Sequence, residues 1–369
     1  RQLAPRFQDL SEALNEIRQD AVQKYCTSIS PKLPEFRAWW EHAGLGAYPG
    51  DWERTMKELS ESGFNAVISN LLWGGSANYP SDVIPHSKKF EQYGDQVEQA
   101  IKAGKKYGVE VHAWQVCWRL EGSPPEYIEA MKKSGRTQKS FNGTDTIWLC
   151  PSHPENIELE CRTLCELVQK YPDLAGIHLD YIRYPDGDHC YCDGCRERFV
   201  KETGCNITNW TQDVRNNGIH TEKYRQWRCD NITKLVERVH REAKKTRSNI
   251  KISAAVLENY PTCRRGTGQD WVLWCEKGYL DFICPMDYTK TLDYFETTIE
   301  RQKKLIGGKI PLYPGIGATA TGIAMTPDRV AAEIQIARKQ NTSGFVIFNL
   351  DSRTIQSIPP ILKLGVTRP

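Results

Sequence analysis

The chain has 369 residues, with 49 basic against 46 acidic side chains, 39% hydrophobic and 26% charged residues. A formal charge of +3 gives no general pull toward nucleic acid or an anionic membrane, and no run of 18 apolar residues exists to span a bilayer. The domain count must come from pattern, because α/β barrels of this length fold as one unit.

In chain order, residues 8 to 25 read as an amphipathic helix ahead of the first strand. Eight short apolar, β-branched or aromatic runs follow, beginning at Phe36, Phe64, Val109, Leu174, Ile250, Leu280, Ile310 and Gly344. Segments of helical periodicity separate them, among them WERTMKELSESG, DQVEQAIKAGKKYG and TPDRVAAEIQIARKQ. Eight strand-helix repeats predict an α/β fold, a single (β/α)8 TIM barrel over residues 34–369, with residues 1–33 as a helical extension packed on it. The connections after the third and fourth strands are the long ones. They leave residues 119 to 153 and 185 to 219 outside the expected helices and rise over the carboxyl-terminal face, where barrel active sites lie.

Most strand runs end in polar or aromatic residues: Trp40, Glu41 and His42; Asn70 and Trp73; Trp114, Gln115 and Trp118; Asp180, Tyr181 and Arg183; Glu258 and Asn259; Asp287 and Tyr288; Asn349 and Asp351. Some of these residue types also serve as caps or ion pairs at a barrel mouth. As a set, carboxylates with an arginine and several aromatics, and no Ser-His-Asp arrangement, point to acid/base or nucleophilic chemistry on a hydroxyl-rich substrate. Sugar rings fit, since their apolar faces stack on aromatics while carboxylates protonate the glycosidic oxygen and stabilise the oxocarbenium-like centre. His178 alternates with Asp180 and shares its face of the strand, as a site residue or a core histidine.

Three segments carry a resemblance. FRAWWEHAGLG near the start, GIHLDYIRYP on the fourth strand and DFICPMDYT on the sixth are similar to the bacterial glycoside-hydrolase-like family 10, a group of barrel proteins classed with the glycosyl hydrolases. The match runs from about residue 34 to 351. It implies a retaining-type or related glycosidase acting on a bacterial polysaccharide, and one class of relatives acts on peptidoglycan strands stripped of peptides. Within LDYIRYP, the resemblance puts Asp180 where many barrel glycosidases hold a fourth-strand nucleophile, with Tyr181 and Arg183 close enough in sequence to keep it ionised. The general acid is left open between Asp287 and Glu258, with a lean to Asp287 because it ends a strong strand run; Asp351 is a reserve. The expected partner is a carbohydrate, bound also by His42, Trp40, Asn70, Trp73, Trp114, Gln115, Tyr181, Arg183, Asn259, Tyr288, Asn349 and Asp351.

HCYCDGC places Cys190, Cys192 and Cys195 in the long loop after the fourth strand, a spacing that wraps three thiolates around one tetrahedral metal; Cys150, in WLCPSHPE, is the natural fourth ligand, and His189 a substitute. This pattern is similar to the structural zinc site of family 42 β-galactosidases. Four thiolates leave no open position, so the expected zinc is structural. No organic cofactor is expected. Five Asn-X-Ser/Thr triplets are of a kind that arises by chance and carry little weight; export to the periplasm or the extracellular space is the expectation. Two other readings remain. The Gly-rich GIGATATG after the seventh strand raises a phosphosugar-processing barrel, and a non-catalytic carbohydrate-binding barrel would show only one carboxylate in its cleft where hydrolysis needs two, roughly 5 to 9 Å apart.

Overall fold

The computed structural model describes residues 3–73 and 75–369, with side chains from Gln8 onward. Eight parallel strands build the molecule: β1 Phe36–Glu41, β2 Ala66–Trp73, β3 Glu110–Val116, β4 Gly176–Asp180, β5 Lys251–Leu257, β6 Phe282–Met286, β7 Gly315–Gly317 and β8 Gly344–Phe348. They pair in the order β7-β8-β1-β2-β3-β4-β5-β6. The segment just before β7 closes the ring: the Ile283 N–H donates to the Pro311 carbonyl (3.1 Å), and the Tyr313 N–H to the Ile283 carbonyl (2.9 Å). A strand-helix alternation closed this way is a (β/α)8 barrel.

Both faces of each strand are buried, so the strand runs are continuously apolar rather than alternating. The period of two still sorts them. Ala38 and Trp40, Ala66 and Ile68, Trp114 and Val116, Phe282 and Cys284 form one cluster inside the barrel. Trp39, Val67, Val111, Ile177, Leu179, Ile252 and Ile283 belong to the larger layer between strands and helices. The glycines of β7 serve this packing. A Cβ on Gly315 would come within 2.8 Å of the Trp40 ring, and one on Gly317 within 2.8 Å of Tyr288. The short, Gly-rich seventh strand thus makes room for two aromatic rings from its neighbours.

The amino-terminal end of the barrel is tied shut. Buried Arg37 bonds Glu35 (2.9 Å) and the Thr367 carbonyl (2.8 Å), while Arg338 reaches the same Glu35 (2.7 Å). The helix Leu3–Ser28 packs against the helices Pro327–Lys339 and Pro359–Leu362 on the outside. At the other end, the loop after β3 carries a hairpin, Thr137–Lys139 with Asp145–Leu149, and its Ser140 bridges His189 in the loop after β4. The two long connections lean on each other above the mouth.

Candidate active site and metal centre

A cavity of 290 Å³ opens at the carboxyl-terminal mouth, with Asp180 among its walls. Asp180 ends β4 and shares the inward face of His178. It is only 4% exposed, and that loss of water pushes its carboxyl up to about 6, against the opposing pull of the Tyr181 N–H, the Arg183 guanidinium and the Trp114 indole. The Tyr181 N–H donates to Oδ1 at 2.6 Å. Tyr181 itself sits in the left-handed region, φ 53°, a conformation that costs a bulky residue energy and turns the chain at the strand's end. Its ring meets Trp148 at 5.6 Å and carries the Arg183 guanidinium 4.8 Å above it.

Below Asp180, His178 is held as a neutral ring. The Trp40 indole N–H donates to Nε2 (3.1 Å), so the proton resides on Nδ1 and is shared with Ser253 Oγ (2.8 Å). Burial lowers its pKa to about 3. It is a satisfied histidine that fixes the Trp40 ring at the cavity floor, and it does not itself line the cavity. Trp40, His42, Trp114, Tyr181, Met286, Tyr288 and Phe348 form the walls, joined by Ala320, Thr321 and Ile323. Ala320 and Thr321 come from GIGATATG and Ile323 follows it directly, so this segment contributes an uncharged wall.

The other expected site residues divide by the side of the strand they occupy. Trp73 stands at the rim, 5.0 Å from the His42 ring, with Arg119 stacked 5.6 Å above it. Asn349 fixes the His42 backbone N–H (2.9 Å). Asn70 is buried on the face of Ala66 and Ile68, its carboxamide without a partner among the described residues. Gln115 points the opposite way and donates to Glu160, which also accepts from the Trp118 N–H. Asp351 accepts from the N–H groups of Arg353 (3.0 Å) and Thr354 (2.8 Å), at the entry to the short helix Thr354–Ser357. Asn259 lies exposed in the loop after β5.

Neither partner carboxylate lines the cavity. Asp287 follows Met286 with opposite parity, faces the helix Leu292–Ile306 and accepts from Gln302 Nε2 (2.6 Å). Burial there, with Glu258 and Glu333 nearby, pushes its carboxyl well above the ordinary range. Glu258 is partly exposed beyond β5 and accepts from the Tyr294 hydroxyl (2.9 Å). Trp148, Thr321 and Phe348 were missed in the sequence because they lie on a loop hairpin, in a loop and at a strand end chosen for its neighbour Asn349.

The cysteines converge. The sulfurs of Cys150, Cys190, Cys192 and Cys195 all lie within 4.8 Å of one another and are buried; Cys150 is 3.4 Å from Cys195 and 4.0 Å from Cys192. A tetrahedral ion with metal–sulfur bonds of ~2.3 Å needs sulfurs about 3.8 Å apart, so the donor set fits a metal. Arg198 donates to Cys150 Sγ (3.8 Å) and offsets the charge that four thiolates would bring.

The sequence profile of the glycosyl hydrolase-like 10 family matches residues 49–330. No curated protein matches the chain in sequence. Among solved structures, the glycoside hydrolase domain of PgaB (BpsB) from Bordetella bronchiseptica superimposes with a TM-score of 0.70 at 11% identity, over 90% of this chain and 99% of that one. The catalytic domain of β-amylase from Paenibacillus polymyxa gives 0.61 at 12%, over 88% and 94%, and a β-galactosidase from Rahnella sp. R3 gives 0.65 at 15%, over 91% of this chain and 56% of that one. At these identities the likeness is one of fold.

Proposed function

The chain belongs to the glycosyl hydrolase-like 10 family, and from that premise we propose that it is a glycosidase acting on a polysaccharide or oligosaccharide, with Asp180 as its central carboxylate. One observation carries the reading: a buried carboxyl, its pKa pushed up to about 6 by loss of water, stands in an aromatic-walled cavity at the carboxyl-terminal mouth of the barrel. Trp40, Trp114 and Tyr288 offer ring faces to a sugar, and Asp180, ionised above about pH 6, stabilises or captures the positive anomeric centre. Of the two partner carboxylates, Glu258 is the one open to solvent at the mouth end of its strand; Asp287 is engaged behind the wall by Gln302. We therefore assign the acid/base role to Glu258 and a structural role to Asp287. The four-cysteine site is proposed to hold zinc, closed to substrate and serving to pin the loop after β4. A polysaccharide outside the cytoplasm as substrate would require export.

The test is a screen of bacterial and plant glycans with wild type beside Asp180→Asn, Glu258→Gln and Asp287→Asn. Loss of product with the first two and its retention with the third supports the assignment. A cavity lined by a single carboxylate also suits a carbohydrate-binding barrel, and equal glycan binding by all four proteins without cleavage would establish that second reading.

A further inference from the structure

On the same side of the barrel, a second cavity of 400 Å³ lies between the loop after β4, the start of the helix Thr221–Thr246 and the short helix Thr262–Thr267. Four arginines line it, Arg215, Arg225, Arg228 and Arg265, and among the described residues no acidic one does. Two carboxylates reach these guanidinium groups from outside: Asp188 accepts from Arg215 (2.9 Å), and Glu222 serves both Arg225 and Arg265 (3.2 Å to the latter). Arg228 has no carboxylate among the described residues. Its Nη2 donates to the carbonyls of Asp186 (2.5 Å) and Gly266 (3.2 Å), its guanidinium lies 4.4 Å from the Tyr184 ring centroid, and its Nε, in a residue only 3% exposed, has no partner among the described residues.

A guanidinium buried without an ion pair is costly, because its charge has left water without a counter-charge. Here the surrounding field adds to that cost. Arg225 and Arg228 project from the first turns of a 26-residue helix whose capping residue, His220, makes no side-chain cap bond, so its amino-terminal N–H groups and dipole contribute further positive potential. An anion in the cavity would relieve both, and guanidinium forks match the two oxygens of a carboxylate or sulfate.

We propose that this cavity is a subsite for an acidic group on the glycan, a sugar carboxylate or sulfate ester. The inference rests on the glycosidase reading above only for the molecule that carries the anion. Gly187 on its wall is seven residues beyond Asp180, at most about 25 Å along an extended chain, a span that an oligosaccharide can bridge. The substrate class is then an acidic polysaccharide, with one ring held at the mouth and an anionic group held among the arginines.

Calorimetric titration tests this with four probes: a polyuronate oligosaccharide, its carboxyl-reduced counterpart, a sulfated oligosaccharide and inorganic sulfate. At low salt, wild type and Asp180→Asn are expected to bind an acidic oligosaccharide at least about tenfold more tightly than the reduced one, and added salt should shrink the preference. The double variant Arg225→Gln/Arg265→Gln, at a half-buried and an exposed position, should erase it; Arg228→Gln should do the same if it folds. Equal affinity for acidic and reduced forms, a preference that survives in the double variant, or binding of inorganic sulfate alone overturns the proposal. If acidic oligosaccharides bind through these arginines and none is cleaved, the subsite stands and the hydrolytic reading fails.

Discussion

The ends of β4 and β6 present the same residue type in nearly the same burial, and they do opposite things with it. Asp180 and Asp287 are 4% and 1% exposed, and loss of water pushes both carboxyls up. Asp180 faces the mouth cavity, where a substrate can reach it. Asp287, one strand parity out of step, is bonded to Gln302 and sits between barrel and helix. A raised carboxyl pKa therefore does not by itself distinguish the two aspartates; access to the cavity does.

The largest effect that can test this contrast is at Asp180. Asp180→Asn is expected to lower kcat/KM by roughly 10²–10⁴-fold, the range for a positioned acid/base or charge-stabilising carboxylate, measured on whichever glycan the screen finds. Stability should move the other way. A carboxyl raised from 3.8 to about 6 contributes stability that is fully present below pH 3.8 and lost as pH rises through 6, up to about 3 kcal/mol. Asp180→Asn should therefore melt higher than wild type above pH 6 and lose that advantage near pH 4. A variant both inactive and destabilised at neutral pH would instead make Asp180 a structural residue.

A second difference between the two strand ends is how their following loops are held. The loop after β4 converges on four cysteines; the one after β6 runs directly into a helix beginning at Leu292. Cys150→Ser is expected to abolish stoichiometric metal, read by elemental analysis. Tryptic cleavage within residues 185–205 should then quicken roughly tenfold or more, as losing ~1.4 kcal/mol of local stability would give. The barrel's far-ultraviolet signal should be retained. The expected effect is smaller beneath Asp180: Trp40→Phe removes the donor to His178 Nε2, leaves a buried acceptor unsatisfied, and should cost about 1–3 kcal/mol in denaturant melts.

Much of this architecture was legible because the strand runs are short, apolar and separated by periodic helices; all eight starting points found in the sequence lead into observed strands. The cysteine set was equally legible, since CxCxxC spacing constrains geometry locally. Strand parity was not. GIHLD and FICPMD both alternate, but in a parallel barrel each face is buried, one by the interior and one by helices, so alternation alone does not say which set looks inward. Gln115 illustrates this: it follows the inward Trp114 and so meets Glu160 outside the barrel. GIGATATG read as a phosphate loop because glycines are cheap where a backbone must approach a ligand; here two of them yield space to Trp40 and Tyr288. The arginine cavity had no signal at all, since its four arginines come from a loop and two helices scattered between residues 215 and 265.

The finest test separates the two aspartates by what they leave unchanged. Asp287→Asn keeps an oxygen to accept from Gln302 and removes a carboxyl that burial, Glu258 and Glu333 all disfavour when charged. The wild-type carboxyl contributes stability below its unfolded pKa and loses it as pH rises through the raised folded value. The variant should therefore gain on wild type in melting temperature as pH increases, while kcat/KM stays within about threefold, ~0.6 kcal/mol. Were kcat/KM to collapse with the fold intact, Asp287 would have to reach the substrate by a rearrangement of the β6 end, and the acid role assigned to Glu258 would pass to it.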